Sequence, residues 1–126
     1  MNITESIKAL AISYIAKFDV VDDIEGINEG FCGYFAEDIA KQIDGAVAIW
    51  DNEKIHSTTK LQSYHHCFIL FEERYYDSES PEGVDHPKDL FFYKREVEYL
   101  KWVQKRLSAQ SVIKKQRSLY PSVLLN

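Results

Sequence analysis

The chain has 126 residues, of which 45% are hydrophobic and 28% are charged. This size suits one small globular domain and excludes a TIM barrel or a dinucleotide-binding fold with a separate substrate domain. Five Gly and three Pro also argue against a disordered or collagen-like chain. We therefore predict a single domain over residues 1–126.

The net charge of −5 is unevenly distributed. Residues 1–87 carry 17 acidic and 6 basic side chains, whereas residues 88–126 carry 9 basic and 3 acidic ones. An acidic body disfavours binding to nucleic acid, which usually requires a basic domain. The basic segment is either a solvated helix face that complements the acidic body or a docking surface for a partner.

The two cysteines, Cys32 and Cys67, are too few for a disulfide scaffold. The first residues lack the basic start and unbroken apolar run of a signal peptide. The longest apolar runs, 46–50 and 67–71, fall far short of the roughly 20 residues that cross a bilayer. These features predict a soluble cytoplasmic protein with reduced thiols and no membrane contact.

The first half of the chain predicts two helices and a strand. Apolar residues at helical spacing predict a helix over 3–18. Acidic residues and two glycines then predict a loop over 19–30. A second helix is predicted over 31–44, with Gly45 as its stop, and the apolar run 46–50 predicts a buried strand.

The second half predicts a hairpin. Residues 64–71 are typical of a strand, Glu72-Glu73 of a turn, and 74–77 of the returning strand. Residues 53–63 are polar and fit neither pattern. Residues 78–87 combine Ser, Pro, Gly and Asp, so we predict a loop there.

A last helix is predicted from Pro87 to about residue 117. Its expected buried face comprises Tyr93, Val97, Leu100, Val103 and Leu107. Taken together, the order of elements predicts an α+β fold, with helices packed on a small antiparallel sheet.

Cys32 lies between Gly30 and Gly33 at the point where a loop becomes a helix, in the segment GFCGYFAEDIA. A helix N-terminus has unpaired N–H groups and a partial positive charge, which favour thiolate over thiol. Gly33 would let a substrate carbonyl approach the backbone, and the Cys32 N–H could stabilise an oxyanion. The alternative is that Cys32 is a small buried hydrophobic residue.

A thiolate nucleophile needs an imidazole beside it and an acceptor that orients that imidazole. His66 heads one predicted strand and Asp77 ends the next, so the hairpin would place them side by side. Strand alternation directs His65 and His66 to opposite faces. We favour His66 as the base and keep His65 as the alternative.

The order Cys, then His on a strand, then Asp on the next strand resembles the papain-like superfamily, in particular its transglutaminase-like and NlpC-type members. The segments HCFILF and RYYD resemble their His-bearing and Asp-bearing strands, and YYDSESPEGV resembles small phage-type proteins of the group. The resemblance covers residues 26–90. It implies a papain-like core with Cys32 as nucleophile, His66 as general base and acid, and Asp77 as orienting carboxylate.

The chain departs from that pattern at two binding positions. Papain-type peptidases have a Gln before the Cys as an oxyanion donor, and here Asn28 is the nearest amide side chain. The transglutaminase-type strand has a Trp two residues after the His, a place that Phe68 takes here. Asn28, Gly33 and Phe68 are thus the candidate substrate-binding residues.

Competing kinds of site fit less well. The potential metal ligands lack the spacing of zinc modules, and neither a phosphate-binding loop nor a second carboxylate pair for glycoside hydrolysis is evident. We expect no metal and no cofactor.

The sequence therefore predicts a small thiol enzyme that acts on an amide or acyl bond of a protein or peptide-like substrate. Peptidase, amidase, deamidase and transglutaminase-type outcomes stay open. The acidic part of the chain contains all three catalytic candidates, which favours a basic or neutral substrate. The alternative is a non-enzymatic acidic binding protein, an inhibitor or adaptor, on the same fold.

Overall fold

Helices and an antiparallel sheet make up the computed structural model, which describes the backbone of residues 2–51 and 66–119 and side chains as far as residue 110. In chain order the elements are α1 (Ile3–Lys17), α2 (Ile24–Ile27), α3 (Cys32–Gln42), β1 (Val47–Trp50), β2 (Cys67–Phe71), β3 (Arg74–Asp77), β4 (Ser80–Val84), a 3-10 helix (Pro87–Asp89) and α4 (Phe91–Leu119). The predicted α+β class is confirmed.

Helices α1 and α3 form where the apolar spacing predicted them. The Asn2 side chain caps α1 by accepting a hydrogen bond from the Glu5 N–H at 2.9 Å, as expected for an Asn N-cap. Each helix buries one stripe of apolar side chains in a shared core. The buried residues of that core on the two helices are Ile3, Ile7, Ala11 and Tyr14 on α1 and Cys32, Phe35, Ala36 and Ile39 on α3.

The four strands form one antiparallel sheet in the order β1-β2-β3-β4. Strands β2 and β3 pair with Ile69 opposite Tyr76 and Phe71 opposite Arg74. The turn between them has positive φ at both Glu72 (48°) and Glu73 (64°), the left-handed backbone that suits the twist of a two-residue hairpin. The predicted hairpin is confirmed, although the residues before His66 in the predicted strand lie outside the described part, as does the segment 53–63.

The segment 46–50 contains a strand, β1, as predicted, but the prediction that this strand is buried was wrong. Among the residues that the structure describes, strand β1 pairs with β2 alone, so it is an edge strand of the described sheet. Val47 and Trp50 are 50% and 55% exposed. An apolar run alone does not distinguish a central strand from an edge strand, because both suit β-branched and aromatic residues.

The predicted loop over 78–87 was also wrong, because β4 lies within it. The Oδ1 atom of Asp77 accepts hydrogen bonds from the N–H groups of Glu79 (3.0 Å) and Ser80 (2.8 Å), which closes a tight turn into β4. Pro81 is tolerated since β4, in the described part of the sheet, pairs with β3 alone and lies at its edge. Residues that are typical of turns therefore led to the prediction of a loop where the structure has a short strand.

Gly83 in β4 is expected to be sensitive to substitution. Its φ is +81°, and an added Cβ would lie 2.6 Å from Cε2 of Tyr76. We expect Gly83→Ala to lower the free energy of unfolding by about 1–3 kcal/mol, measured by urea denaturation. Gly26→Ala is the control, because its Cβ would meet nothing closer than 3.4 Å. Equal urea midpoints for the two variants would contradict the prediction.

The acidic loop predicted over 19–30 contains a one-turn helix, α2. The Oδ1 atom of Asp23 accepts a hydrogen bond from the Gly26 N–H at 2.8 Å and caps this turn. Asp23 therefore caps a helix, whereas the acidic residues of this segment predicted only a loop.

The last helix, α4, begins at Phe91, after a separate 3-10 turn that starts at Pro87. Tyr93 is fully buried, as predicted. The prediction that the later residues of the same face are buried was wrong. Val97, Leu100 and Val103 are partly exposed, and Leu107 is 56% exposed. The helix is long and charged, and within the described residues no helix has the length and apolar content to cross a membrane.

The contacts divide the chain into two compact units, Met1–Arg95 and Glu96–Asn126. The first unit contains the sheet, the three earlier helices and the first turn of α4. In the second unit, Tyr99 stacks on Trp102 and the Arg106 guanidinium lies over the Trp102 ring. The single domain over 1–126 stays a prediction.

Candidate active site

Cys32 is the first residue of α3. The N-cap residue, Phe31, makes no side-chain hydrogen bond to the helix, so no side chain of the cap competes for the first N–H groups of α3. Cys32 is buried, with a free thiol. Because α3 packs against β1 and β2, this helix end lies against the strand that follows His66.

His66 and Asp77 are joined through the hairpin. His66 immediately precedes β2 and Asp77 ends β3, and His66 Nε2 lies 2.9 Å from Asp77 Oδ2. Both side chains are almost fully buried. Since an ionised carboxylate only accepts hydrogen bonds, this contact assigns the proton to Nε2 and leaves Nδ1 as the nitrogen able to accept a proton.

The Cys32 thiol interacts with the His66 ring. Burial raises the pKa of the Cys32 thiol, but hydrogen bonding with His66, the backbone N–H groups of Cys67 and Gly33, and the charge of His66 outweigh burial and lower it. Burial lowers the pKa of His66, whereas hydrogen bonding with Asp77 and with Cys32, and the charges of both, outweigh burial and raise it. Both shifts favour a thiolate beside an imidazolium.

Nδ1 of His66 is buried and, among the described residues, has no partner that meets full hydrogen-bond geometry. Hydrogen bonds at catalytic groups are often long or poorly aligned until substrate binds. The site thus has a firmly held His–Asp pair and a looser thiol–imidazole contact.

The two cysteines differ in reactivity. Burial, followed by the charges of Cys32 and Glu37, raises the pKa of the Cys67 thiol to about 12. A buried thiol with a raised pKa is a poor nucleophile. Of the two thiols, that of Cys32 is therefore the more readily ionised, and Cys67 contributes its backbone N–H to it.

Aromatic rings fix the plane of the His66 imidazole. Phe92 stacks on it with a centroid distance of 4.0 Å and an interplanar angle of 15°, and Tyr93 meets its edge at 5.6 Å. The Tyr93 hydroxyl donates a hydrogen bond to Asp51 Oδ2, and the Asp51 N–H donates to the His66 carbonyl at 2.7 Å. The first turn of α4 thereby holds the imidazole, a role that the sequence did not indicate.

The three predicted binding residues lie in different surroundings. Asn28 is buried, and its Nδ2 donates to Glu79 Oε1 at 2.8 Å, so one of its two amide N–H donors is already used. Gly33 directly follows Cys32 and lies under the indole of Trp50. Phe68 is buried with its ring centroid 6.1 Å from that of His66. His65, the alternative base, lies outside the described residues.

A charged network supports the strand-end turn and was also missed. Glu79, two residues after Asp77, accepts hydrogen bonds from Asn28 and from Arg95. Arg95 also pairs with Glu25 of α2, with Nε 2.9 Å from Oε1. These contacts link α2, the turn and the start of α4 around the Asp77 carboxylate. Residues so far apart in the chain give no local spacing signal.

The side chains described, those of residues 2–51 and 66–110, include no group of three His, Cys, Asp or Glu that could hold a metal ion. The polar groups that converge here are a thiol, an imidazole and a carboxylate, which suit proton transfer and nucleophilic attack.

Cys32, His66 and Asp77, which the sequence singled out, are brought together in the first compact unit. Comparisons with protein-family models, curated proteins and solved structures found no match to this chain.

Proposed function

We propose that the protein is a cysteine-dependent enzyme that breaks or exchanges an amide or acyl bond through a thioacyl intermediate. The observation that carries this proposal is the buried contact between His66 and Asp77 beside a thiol whose pKa is lowered. The same order of residues underlies the resemblance to the papain-like superfamily, and we extend the proposal to a papain-like core.

In the first half of the reaction, the Cys32 thiolate attacks the carbonyl carbon of the substrate. A C–S bond forms and the carbonyl electron pair moves to oxygen. N–H groups at the start of α3 are suitable donors to this oxyanion, because Phe31 supplies no side-chain cap. The oxyanion then re-forms the carbonyl, the bond from the carbonyl carbon to the leaving group breaks, and the imidazolium of His66 gives its Nδ1 proton to the leaving group.

In the second half, His66 takes a proton from water or from an amine through Nδ1. The deprotonated nucleophile attacks the thioacyl carbon, and the C–S bond breaks to restore the thiolate. Water gives hydrolysis, and an amine gives acyl transfer. Asp77 holds the Nε2 proton and stabilises the imidazolium throughout.

The chemistry uses only side chains of this chain and a carbonyl substrate, so we propose that no cofactor takes part. We place the activity in the cytoplasm, where a reduced thiol is maintained. We further propose a protein or peptide as the substrate, and the basic face of α4 as a docking surface for a partner.

The proposal predicts an unusual pH dependence of Cys32 alkylation. Because the pKa of Cys32 is lowered, the thiolate persists at lower pH than that of a free thiol, whose pKa is about 8.5. We expect iodoacetamide to modify Cys32 with a midpoint below that value. His66→Ala removes the hydrogen bond and the charge but keeps the burial, so the midpoint should move to higher pH. Mass spectrometry of the Cys32 peptide gives the rate.

Two further variants make the measurement decisive. His66→Gln fills more of the space left by the imidazole and should shift the profile in the same direction. His86→Ala, which removes an exposed histidine at the 3-10 turn, should leave it unchanged. An ordinary thiol profile in the wild-type protein would refute the enzyme and favour an acidic binding protein, recognised by a salt-sensitive complex that survives Cys32→Ala.

A further inference from the structure

Trp50 occupies an unexpected position next to the nucleophile. An added Cβ at Gly33 would lie 2.6 Å from Cζ2 and 2.8 Å from Cη2 of Trp50. The indole thus covers the residue that follows Cys32, and only glycine leaves room for it. Trp50 also pairs with Cys67 across β1 and β2. Despite these contacts, more than half of the Trp50 side chain stays exposed.

A carboxylate lies on the helix face that Trp50 covers in part. Glu37 follows Gly33 by four residues in α3, so the two positions share one face of the helix. Side chains in a helix lean towards its N-terminus, which directs Glu37 towards the turn that Trp50 covers. The Glu37 charge also reaches the Cys67 thiol and contributes to its raised pKa. Glu37 itself is exposed.

An exposed indole over a helix face that also carries a carboxylate is suited to bind a cation. The face of Trp attracts ammonium and guanidinium groups more strongly than that of Tyr or Phe, and the carboxylate adds a charge of the opposite sign. An uncharged apolar group would gain the indole contact but would have to be accommodated next to the charge of Glu37. The acidic excess of residues 1–87 also favours a positively charged ligand.

We propose that Trp50 and Glu37 form a subsite for a positively charged side chain of the substrate, such as Lys or Arg, adjacent to the carbonyl that Cys32 attacks. This inference rests on the proposed function, because it assigns the substrate class of that same site. The occupant is a cationic residue of a peptide, and the subsite selects it before Cys32 reacts.

Blocked amino-acid chloromethyl ketones test the subsite directly. The Cys32 thiolate attacks the methylene carbon, a C–S bond forms and chloride leaves, so labelling reports access to the sulfur. The lysyl reagent is compared with the norleucyl reagent, which has a similar length without the charge, and with the glutamyl reagent. We expect the lysyl reagent to label Cys32 about 5- to 20-fold faster than the norleucyl reagent, with the glutamyl reagent slowest.

Two substitutions assign the preference to the proposed residues. Trp50→Leu and Glu37→Gln should each lower the lysyl-to-norleucyl ratio about two- to fivefold. The matched controls are Tyr34→Leu, an exposed aromatic residue on α3, and Glu72→Gln, at the far end of β2; both should keep the wild-type ratio. Thermal denaturation verifies that each variant is folded. A wild-type ratio near one, or a ratio that either substitution leaves unchanged, overturns the subsite.

Iodoacetamide separates this result from a failure of the proposed function, because it has no side chain for the subsite to recognise. An ordinary pH profile for iodoacetamide would refute the activated thiol itself. A low midpoint with iodoacetamide, combined with no preference for the lysyl reagent, would refute only the cationic subsite.

Discussion

Asp77→Asn is expected to lower the rate of thioacyl formation by about 10²- to 10⁴-fold while the protein stays folded. The Oδ1 atom of Asp77 accepts from the N–H groups of Glu79 and Ser80, and an Asn oxygen can keep both bonds. Its amide nitrogen must then face His66 Nε2 and donate to it. The ring proton moves to Nδ1, where it faces the thiol, and His66 can no longer accept the thiol proton.

The measurement is the rate of Cys32 labelling by the lysyl chloromethyl ketone at neutral pH, together with the acyl-transfer rate on a lysyl thioester. Asp85→Asn is the control, because Asp85 pairs with Arg74 at the surface and lies outside the site. Asp77→Asn should also move the iodoacetamide profile to higher pH, which a loss of packing alone would not do. A wild-type rate and profile in a folded Asp77→Asn protein would remove Asp77 from the mechanism.

Phe35→Ala is expected to reduce the free energy of unfolding by about 3–5 kcal/mol, as for other large buried aromatic residues. Phe35 lies on α3, three residues after Cys32, and is almost completely buried. Its ring meets the edge of Tyr14 from α1, with centroids 5.4 Å apart. Removing it leaves a cavity between the two helices and loosens the helix that presents the thiol. Urea denaturation measures the loss.

Tyr34→Ala supplies the matched comparison, since this neighbouring aromatic side chain is 71% exposed. Its substitution should change the free energy of unfolding by less than about 0.5 kcal/mol. Similar losses for the two variants would show that α3 packs through a different face. The iodoacetamide profile of Phe35→Ala should also move towards that of an ordinary thiol, because the low pKa depends on where α3 holds Cys32.

The sequence predicted those elements whose signal is local. The apolar spacing of α1 and α3 and the Glu72-Glu73 turn depend on residues a few positions apart, and all three were found. Strand β4 was missed because its Pro and Gly are typical of loops, and only pairing with β3 makes them part of a sheet. The burial of β1 was overestimated because an edge position follows from the strand order.

The residues of the candidate site also differ in whether a local sequence signal predicts their position. Cys32 at a helix start, and His66 and Asp77 at the ends of a hairpin, are recognisable because local structure determines where each lies. The stacking of Phe92 on His66 and the bridge from Glu79 to Arg95 join elements distant in the chain, so no local spacing in the sequence predicts these contacts. Trp50 was interpreted as part of a buried strand, and its place over Gly33 emerges only from the packing of α3 on β1.

The short chain separation between His66 and Asp77 has a consequence for folding. They are only 11 positions apart in the chain, so the hairpin can bring them together at a small cost in loop-closure entropy. Cys32 joins them only when α3 docks on the sheet. The groups that lower its pKa belong largely to His66 and Cys67, so an unfolded or newly made chain has an ordinary thiol. The lowering of the Cys32 pKa is thereby coupled to completion of the fold, and the thiol of a nascent chain stays in its less reactive protonated form until α3 docks.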